Sequence, residues 1–170
     1  MDLILGHGAS GNAASMRPWV DDLARHDIQA MSIDLPVGRA ERAIETFRTA
    51  CHAHPGAALG GHSFGGRVAS MLAAEEPVPA LVLLSYPLHR PGHPEDLRSE
   101  HWPRIACPVI ALSGESDPFA TIDLLRDSIS LVPHAQLVTY PKVGHGLIPV
   151  IEDASTRIAA FLRQVATRRS

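Results

Sequence analysis

Gly61-His62-Ser63-Phe64-Gly65 is the stretch of this chain whose residue types and spacing could do chemistry. A serine hydroxyl is a poor nucleophile at neutral pH and needs a base beside it, held in turn by an acid. In a Gly-x-Ser-x-Gly elbow the serine sits on a strained turn between a strand and a helix, so the residues two before and two after it must be small. Gly61 and Gly65 meet that demand. Glycine and serine are common enough to produce the pattern by chance, so its placement decides. Here it follows a predicted strand at 57–61 and opens a predicted helix at 65–76. A bare phosphate cradle would fit the glycines too. At this turn there is no Gly-x-Gly-x-x-Gly, and no Gly-Lys-Ser/Thr run follows it, so the nucleotide-binding patterns fail around Ser63.

The partners of Ser63 are found by reading strand ends, because open α/β sheets gather functional groups at the carboxyl edge of their strands. After a strand at 108–113 comes Gly114-Glu115-Ser116-Asp117, which offers Asp117 as the acid and Glu115 as a rival. Asp117 could also be only the cap of a following helix. After a strand at 136–140 comes Val143-Gly144-His145-Gly146, which offers His145 as the base. The chain order Ser, Asp, His is the one expected of this arrangement. His7, His62, His89, His93, His101 and His134 are weaker candidates, since none lies after the last strand. Acyl transfer also needs backbone N–H donors at the developing oxyanion. Phe64, next to the serine, supplies one. The loop after the first strand, Gly6-His7-Gly8-Ala9, supplies the other, at Ala9 or alternatively Gly8.

The elements that must position these residues follow from periodicity. Short apolar runs at 2–6, 28–35, 57–61, 81–84, 108–113 and 136–140 read as strands. Amphipathic stretches at 16–26, 39–53, 65–76, 120–131 and 150–167 read as helices between and after them. Strand–helix alternation predicts an open, doubly wound α/β fold with a mostly parallel six-stranded sheet and helices on both faces. Residues 85–106 break the rhythm. They carry prolines and histidines without apolar periodicity, leave room for one short helix near 95–101, and are long enough to be functional or mobile. Residues 1–170 read as a single domain.

Composition excludes several classes. A net charge of −3 argues against electrostatic nucleic-acid binding. Two cysteines, Cys51 and Cys107, form neither a disulfide framework nor a zinc ribbon. No apolar run is long enough to span a bilayer, and no leader is evident at Met1, so a cytoplasmic location with no membrane partner is expected.

With the elbow, acid loop, histidine loop and His-Gly turn in order, the chain resembles an α/β-hydrolase from Leu3 to the last helix. More narrowly, Gly60–Arg67, Leu83–His89 and Asp117-Pro118-Phe119 are similar to the small, cap-less KANL/Tex-type branch, itself similar to dienelactone hydrolases. The resemblance implies a minimal α/β-hydrolase fold without the first two strands, with 85–106 in place of the cap. It also implies a serine-hydrolase scaffold, although some members of that branch serve in protein complexes.

The expected activity is hydrolysis of a small carboxylic ester or thioester through an acyl-enzyme on Ser63, with no metal and no organic cofactor. The rivals are an acyltransferase using the same three residues and a non-catalytic interaction module. Tyr86, Leu88, Trp102, Phe119 and Leu147 neighbour strand ends and are candidates to line the acyl pocket, although each could equally be core. Trp102 and Leu88 could also close over the site as a lid.

Overall fold

Side chains along Leu3-Ile4-Leu5 point alternately to the two faces of a strand, and this alternation divides the interior in two. Leu3 and Leu5 join one apolar cluster and Ile4 the other. The computed structural model describes residues 1–169. Its strands are β1 (Leu3–Gly6), β2 (Ala30–Ile33), β3 (Ala58–His62), β4 (Leu81–Leu84), β5 (Val109–Gly114) and β6 (Ala135–Tyr140). Its α-helices are α1 (Arg17–Ala24), α2 (Ala40–Ala53), α3 (Phe64–Ala73), α4 (Ile122–Ile129) and α5 (Ile151–Arg169). The six strands form one sheet in the order β2-β1-β3-β4-β5-β6, with every pairing parallel.

Parallel neighbours need crossovers, and the helices that make them cover both faces. Phe47 of α2 and Val68 and Leu72 of α3 pack against Ile4, Leu59, Leu81 and Leu83 on one face. Trp19 and Leu23 of α1 and Ile158 and Leu162 of α5 pack against Leu3, Leu5, Val82 and Leu84 on the other. β4 is therefore apolar at every position, because neither face of this central strand meets water. No helix among the described residues is long and apolar enough to cross a membrane.

The strand order places the site. β1 and β3 are adjacent, so the loop after β1 lies beside the turn after β3. β5 and β6 are adjacent, so their following loops also lie side by side. All of these loops leave the same carboxyl edge.

The segment 85–106 departs from expectation. No helix forms near 95–101; the chain makes turns there, with an Arg90–His93 bridge and one short 3-10 turn at Trp102–Arg104. Within 95–101 Leu97 is the sole apolar residue, so a helix there would have no apolar stripe to bury. Apolar and polar anchors hold the segment instead. Tyr86 packs edge-on against Trp102 at 4.8 Å, and Tyr86 Oη donates to Arg98 O at 2.6 Å. Thr121 N–H, before α4, donates to His89 Nε2 at 3.0 Å.

Candidate active site

Ser63 lies between β3 and α3 with φ 51° and ψ −113°, a conformation that L-residues rarely adopt. Such a residue costs on the order of 1–3 kcal/mol and persists only where its surroundings impose it. Here the surroundings are backbone. Ser63 N–H donates to Leu84 O at 2.8 Å, and Gly65 N–H donates to His7 O at 3.0 Å. A Cβ on Gly65 would collide with the carbonyl group of Gly6, and one on Gly61 would lie 2.5 Å from Gly6 O. The small residues of the elbow are thus required by the close approach of α3 to β1.

The loops that carry Asp117 and His145 are joined in the same way. Glu115 N–H donates to Tyr140 O at 3.0 Å and Ser116 N–H to Val143 O at 2.9 Å. Gly114 lies so close to Val143 O and Gly144 O that no Cβ would fit. This contact sets Asp117 opposite His145. The Asp117 side chain is 0% exposed, and its carboxylate accepts from His145 Nδ1 at 2.8 and 3.0 Å and from Phe119 N–H at 2.8 Å. His145 Nε2 lies 2.8 Å from Ser63 Oγ. With Nδ1 donating to the carboxylate, Nε2 carries the lone pair and faces the serine hydroxyl. Glu115 turns away: its carboxylate accepts from Thr139 Oγ1 at 2.8 Å and pairs with Arg126.

Two further histidines support this chain. His62 Nε2 donates to His145 O at 3.0 Å, since a carbonyl can only accept. Burial holds the His62 pKa below the ordinary histidine value and so keeps its ring neutral. His62 and Phe119 flank the His145 ring, with centroids at 5.1 and 4.4 Å.

His7 acts on the loop after β1. Its Nε2 accepts from Leu35 N–H at 2.9 Å, which leaves the proton on Nδ1, and Nδ1 donates to Gly8 O at 2.7 Å. Gly11 N–H also donates to Gly8 O at 3.0 Å. The N–H and C=O of a trans peptide point in opposite directions. Fixing Gly8 O therefore fixes the Ala9 N–H, which sits on the same peptide and faces the other way. Ala9 and Phe64 both line the cavity above Ser63. At the first position of α3, the Phe64 N–H has no intrahelical acceptor.

That cavity has a volume of about 800 Å³. Phe119 and Leu147 contribute to its wall, together with Met16 and Trp19. Tyr86, Leu88 and Trp102 do not. They are 1%, 0% and 0% exposed and belong to the apolar cluster under α2 and α3. The reason is the unsupported length of 85–106: a connection without helix or strand is held by burying its largest side chains. Those same three residues are core anchors, which removes the lid formed by Trp102 and Leu88.

The sequence holds His7 and His62 only as weaker candidates for the base and gives Arg67 and Arg98 no part in the site, although all four stand around it. His62 is inside the pentapeptide, and Arg67 stands four residues after Ser63, one helical turn along α3. Both spacings were available as signals. Arg98 belongs to a segment without periodicity and gives none.

Comparison with known proteins agrees with this architecture. Solved structures with the same fold include the monoacylglycerol lipase of Paleococcus ferrophilus, at 14% identity over 96% of this chain and 94% of that one, with a TM-score of 0.82. A thermophilic esterase from Thermogutta terrifontis aligns at 17% identity over 97% of this chain and 90% of that one, with a TM-score of 0.76. Est1E from Butyrivibrio proteoclasticus aligns at 14% identity over 98% and 88%, with a TM-score of 0.82. At such identities the likeness is one of fold. Residues 1–169 match the family described as alpha/beta hydrolase domain, and the chain belongs to that family.

Proposed function

We propose that the protein is a serine hydrolase that cleaves a small carboxylic ester or thioester through an acyl-enzyme on Ser63. The observation that carries this reading is the unbroken hydrogen-bond chain from Ser63 Oγ through His145 to the buried Asp117. Ser63 Oγ attacks the substrate carbonyl while His145 Nε2 takes its proton. Asp117 keeps the other proton on Nδ1 and stabilises the imidazolium. The tetrahedral oxyanion accepts from the N–H groups of Phe64 and Ala9. Collapse breaks the ester or thioester bond, and His145 returns its proton to the departing alcohol or thiol. Water then attacks the acyl-enzyme with His145 again as base, releasing the acid and restoring Ser63. These roles need only protein groups and water.

The non-catalytic reading would leave a strained serine, a fixed histidine tautomer and an oriented Ala9 amide without use. The same three residues would also serve transfer to an acceptor other than water. We also assign the chain to the KANL/Tex-type branch on the residues at 60–67, 83–89 and 117–119, and we place it in the cytoplasm.

The substrate is small because no helical lid extends the cavity into an apolar tunnel. Each methylene left outside forgoes about 0.8 kcal/mol of burial. A series of p-nitrophenyl esters tests this: kcat/KM is highest for acyl chains of roughly two to six carbons. A maximum at about twelve carbons or beyond would overturn the small-substrate assignment.

A further inference from the structure

Three arginines are half-buried among the described residues: Arg48, Arg67 and Arg98. Arg48 holds three carboxylates, those of Glu45, Glu75 and Glu76. Arg67 and Arg98 form no ion pair with any described carboxylate, and both line the cavity over Ser63. No aspartate or glutamate lines that cavity. The nearby Asp96 is paired with Arg90, and partly burying two guanidinium groups at one cleft without an ion-paired carboxylate is costly. Arg67 Nε is closed to solvent and has no hydrogen-bond partner. Burial, and then the charge of Arg67, hold the Arg98 pKa below the ordinary arginine value, so the two cations feel one another.

Both backbones are fixed where they stand. Arg67 N–H donates to Ser63 O at 3.0 Å on the first turn of α3, and Arg67 O accepts from Ser70 Oγ at 2.8 Å. Arg98 N–H donates to Leu88 O at 2.7 Å, and Arg98 O accepts from Tyr86 Oη at 2.6 Å. Tyr86 and Leu88, which the sequence suggests as pocket walls, therefore serve by presenting Arg98. Guanidinium groups match carboxylate and phosphate oxygens with paired donors, and a bound anion would relieve their mutual repulsion.

We propose that Arg67 and Arg98 form an anion subsite beside the nucleophile, and that the substrate is a small ester or thioester bearing a carboxylate or phosphate. The proposal rests on the serine-hydrolase reading for its chemistry, and the anion subsite stands on the cavity wall alone. The charge can reside on the acyl or the alcohol part of the substrate.

Two ester pairs separate those sources. Mono-4-nitrophenyl adipate against 4-nitrophenyl hexanoate places the carboxylate on the acyl part; 4-acetoxybenzoate against phenyl acetate places it on the alcohol part. Each rate is normalised to the alkaline hydrolysis of the same ester. In one pair or the other, kcat/KM favours the anionic member by roughly 10-fold or more, the scale of a charge-assisted hydrogen bond. Arg98→Gln and Arg67→Gln each reduce that ratio by about 10-fold, and added salt reduces it as well. Equal kcat/KM for the anionic and neutral members in both pairs would overturn the subsite.

Calorimetric binding of adipate to the Ser63→Ala protein reads the subsite without turnover. Binding that is lost in Ser63→Ala/Arg98→Gln supports it, and no binding to Ser63→Ala counts against it. Adipate binding without hydrolysis of any ester would sink the hydrolase reading and leave the subsite standing. Should Arg67→Gln fail to fold, Arg98→Gln decides, because its side chain leaves an irregular segment held by backbone bonds.

Discussion

Replacing Gly65 by alanine adds one methyl group where the structure has no room for it. The new Cβ would overlap the carbonyl group of Gly6 and lie 2.7 Å from Gly6 Cα. Ordinary carbon–carbon contact is about 3.5–4.0 Å, so α3 and β1 must separate by roughly 1 Å. β1 cannot yield, because Gly6 is paired with Ile33 on one side and Gly61 on the other. α3 must therefore lift away from the sheet, loosening the packing under Val68 and Leu72. Overpacking of this kind costs about 1–3 kcal/mol, while alanine in a helix returns at most about 1 kcal/mol. Because the overlap falls on backbone, the cost lies at the upper end of that range; the net loss is then about 2 kcal/mol, and a chain of this size unfolds roughly 4–8 °C lower. The shift also moves Ser63 Oγ relative to His145, for which a factor of about 100 in activity is expected. Gly146→Ala is the control, since a Cβ there meets nothing within 4 Å. Thermal unfolding followed by circular dichroism reads both. A Gly65→Ala melting temperature within about 1 °C of the wild type would refute the claim that close approach of α3 to β1 dictates glycine here.

Asp117→Asn lowers ester turnover by about four orders of magnitude, because an amide favours the wrong histidine tautomer, whereas Glu115→Gln leaves turnover close to wild type; the reverse pattern in steady-state kinetics would reassign the acid. His101 is 4% exposed with Nε2 2.7 Å from Ser70 Oγ, and burial lowers its pKa to about 4. The unfolded chain takes up this proton near pH 6.5 and the folded one only near pH 4, so stability declines as pH falls through that window. His101→Gln makes the decline shallower in denaturant titrations at a series of pH values, and an unchanged slope would contradict the assignment.

The sheet is legible in the sequence because a doubly covered parallel strand must be apolar at successive positions, as Leu81-Val82-Leu83-Leu84 is. Ser63, Asp117 and His145 are legible as a set because each follows a strand, and adjacent parallel strands end together. The fate of Tyr86, Leu88 and Trp102 is not legible. Sequence distance from a strand end does not say whether a side chain turns toward the cleft or under the sheet, and 85–106 has no period to decide it. Trp19 belongs to the apolar cluster under α1 and α5, yet it also borders the cavity at the edge of that core, which helical spacing alone does not reveal. The tautomers of His7 and His62 depend on Leu35 N–H and His145 O, partners 28 and 83 residues away, which no local pattern reveals.

The proposed hydrolysis depends first on Ser63 being an activated nucleophile. A fluorophosphonate probe tests it without any knowledge of the substrate, because labelling requires only a serine made reactive by its base and oxyanion donors. The expected result is that the wild-type protein is labelled at Ser63 and a folded Ser63→Ala variant is not. A folded wild-type protein that resists the probe, or a Ser63→Ala variant labelled equally well, would contradict it.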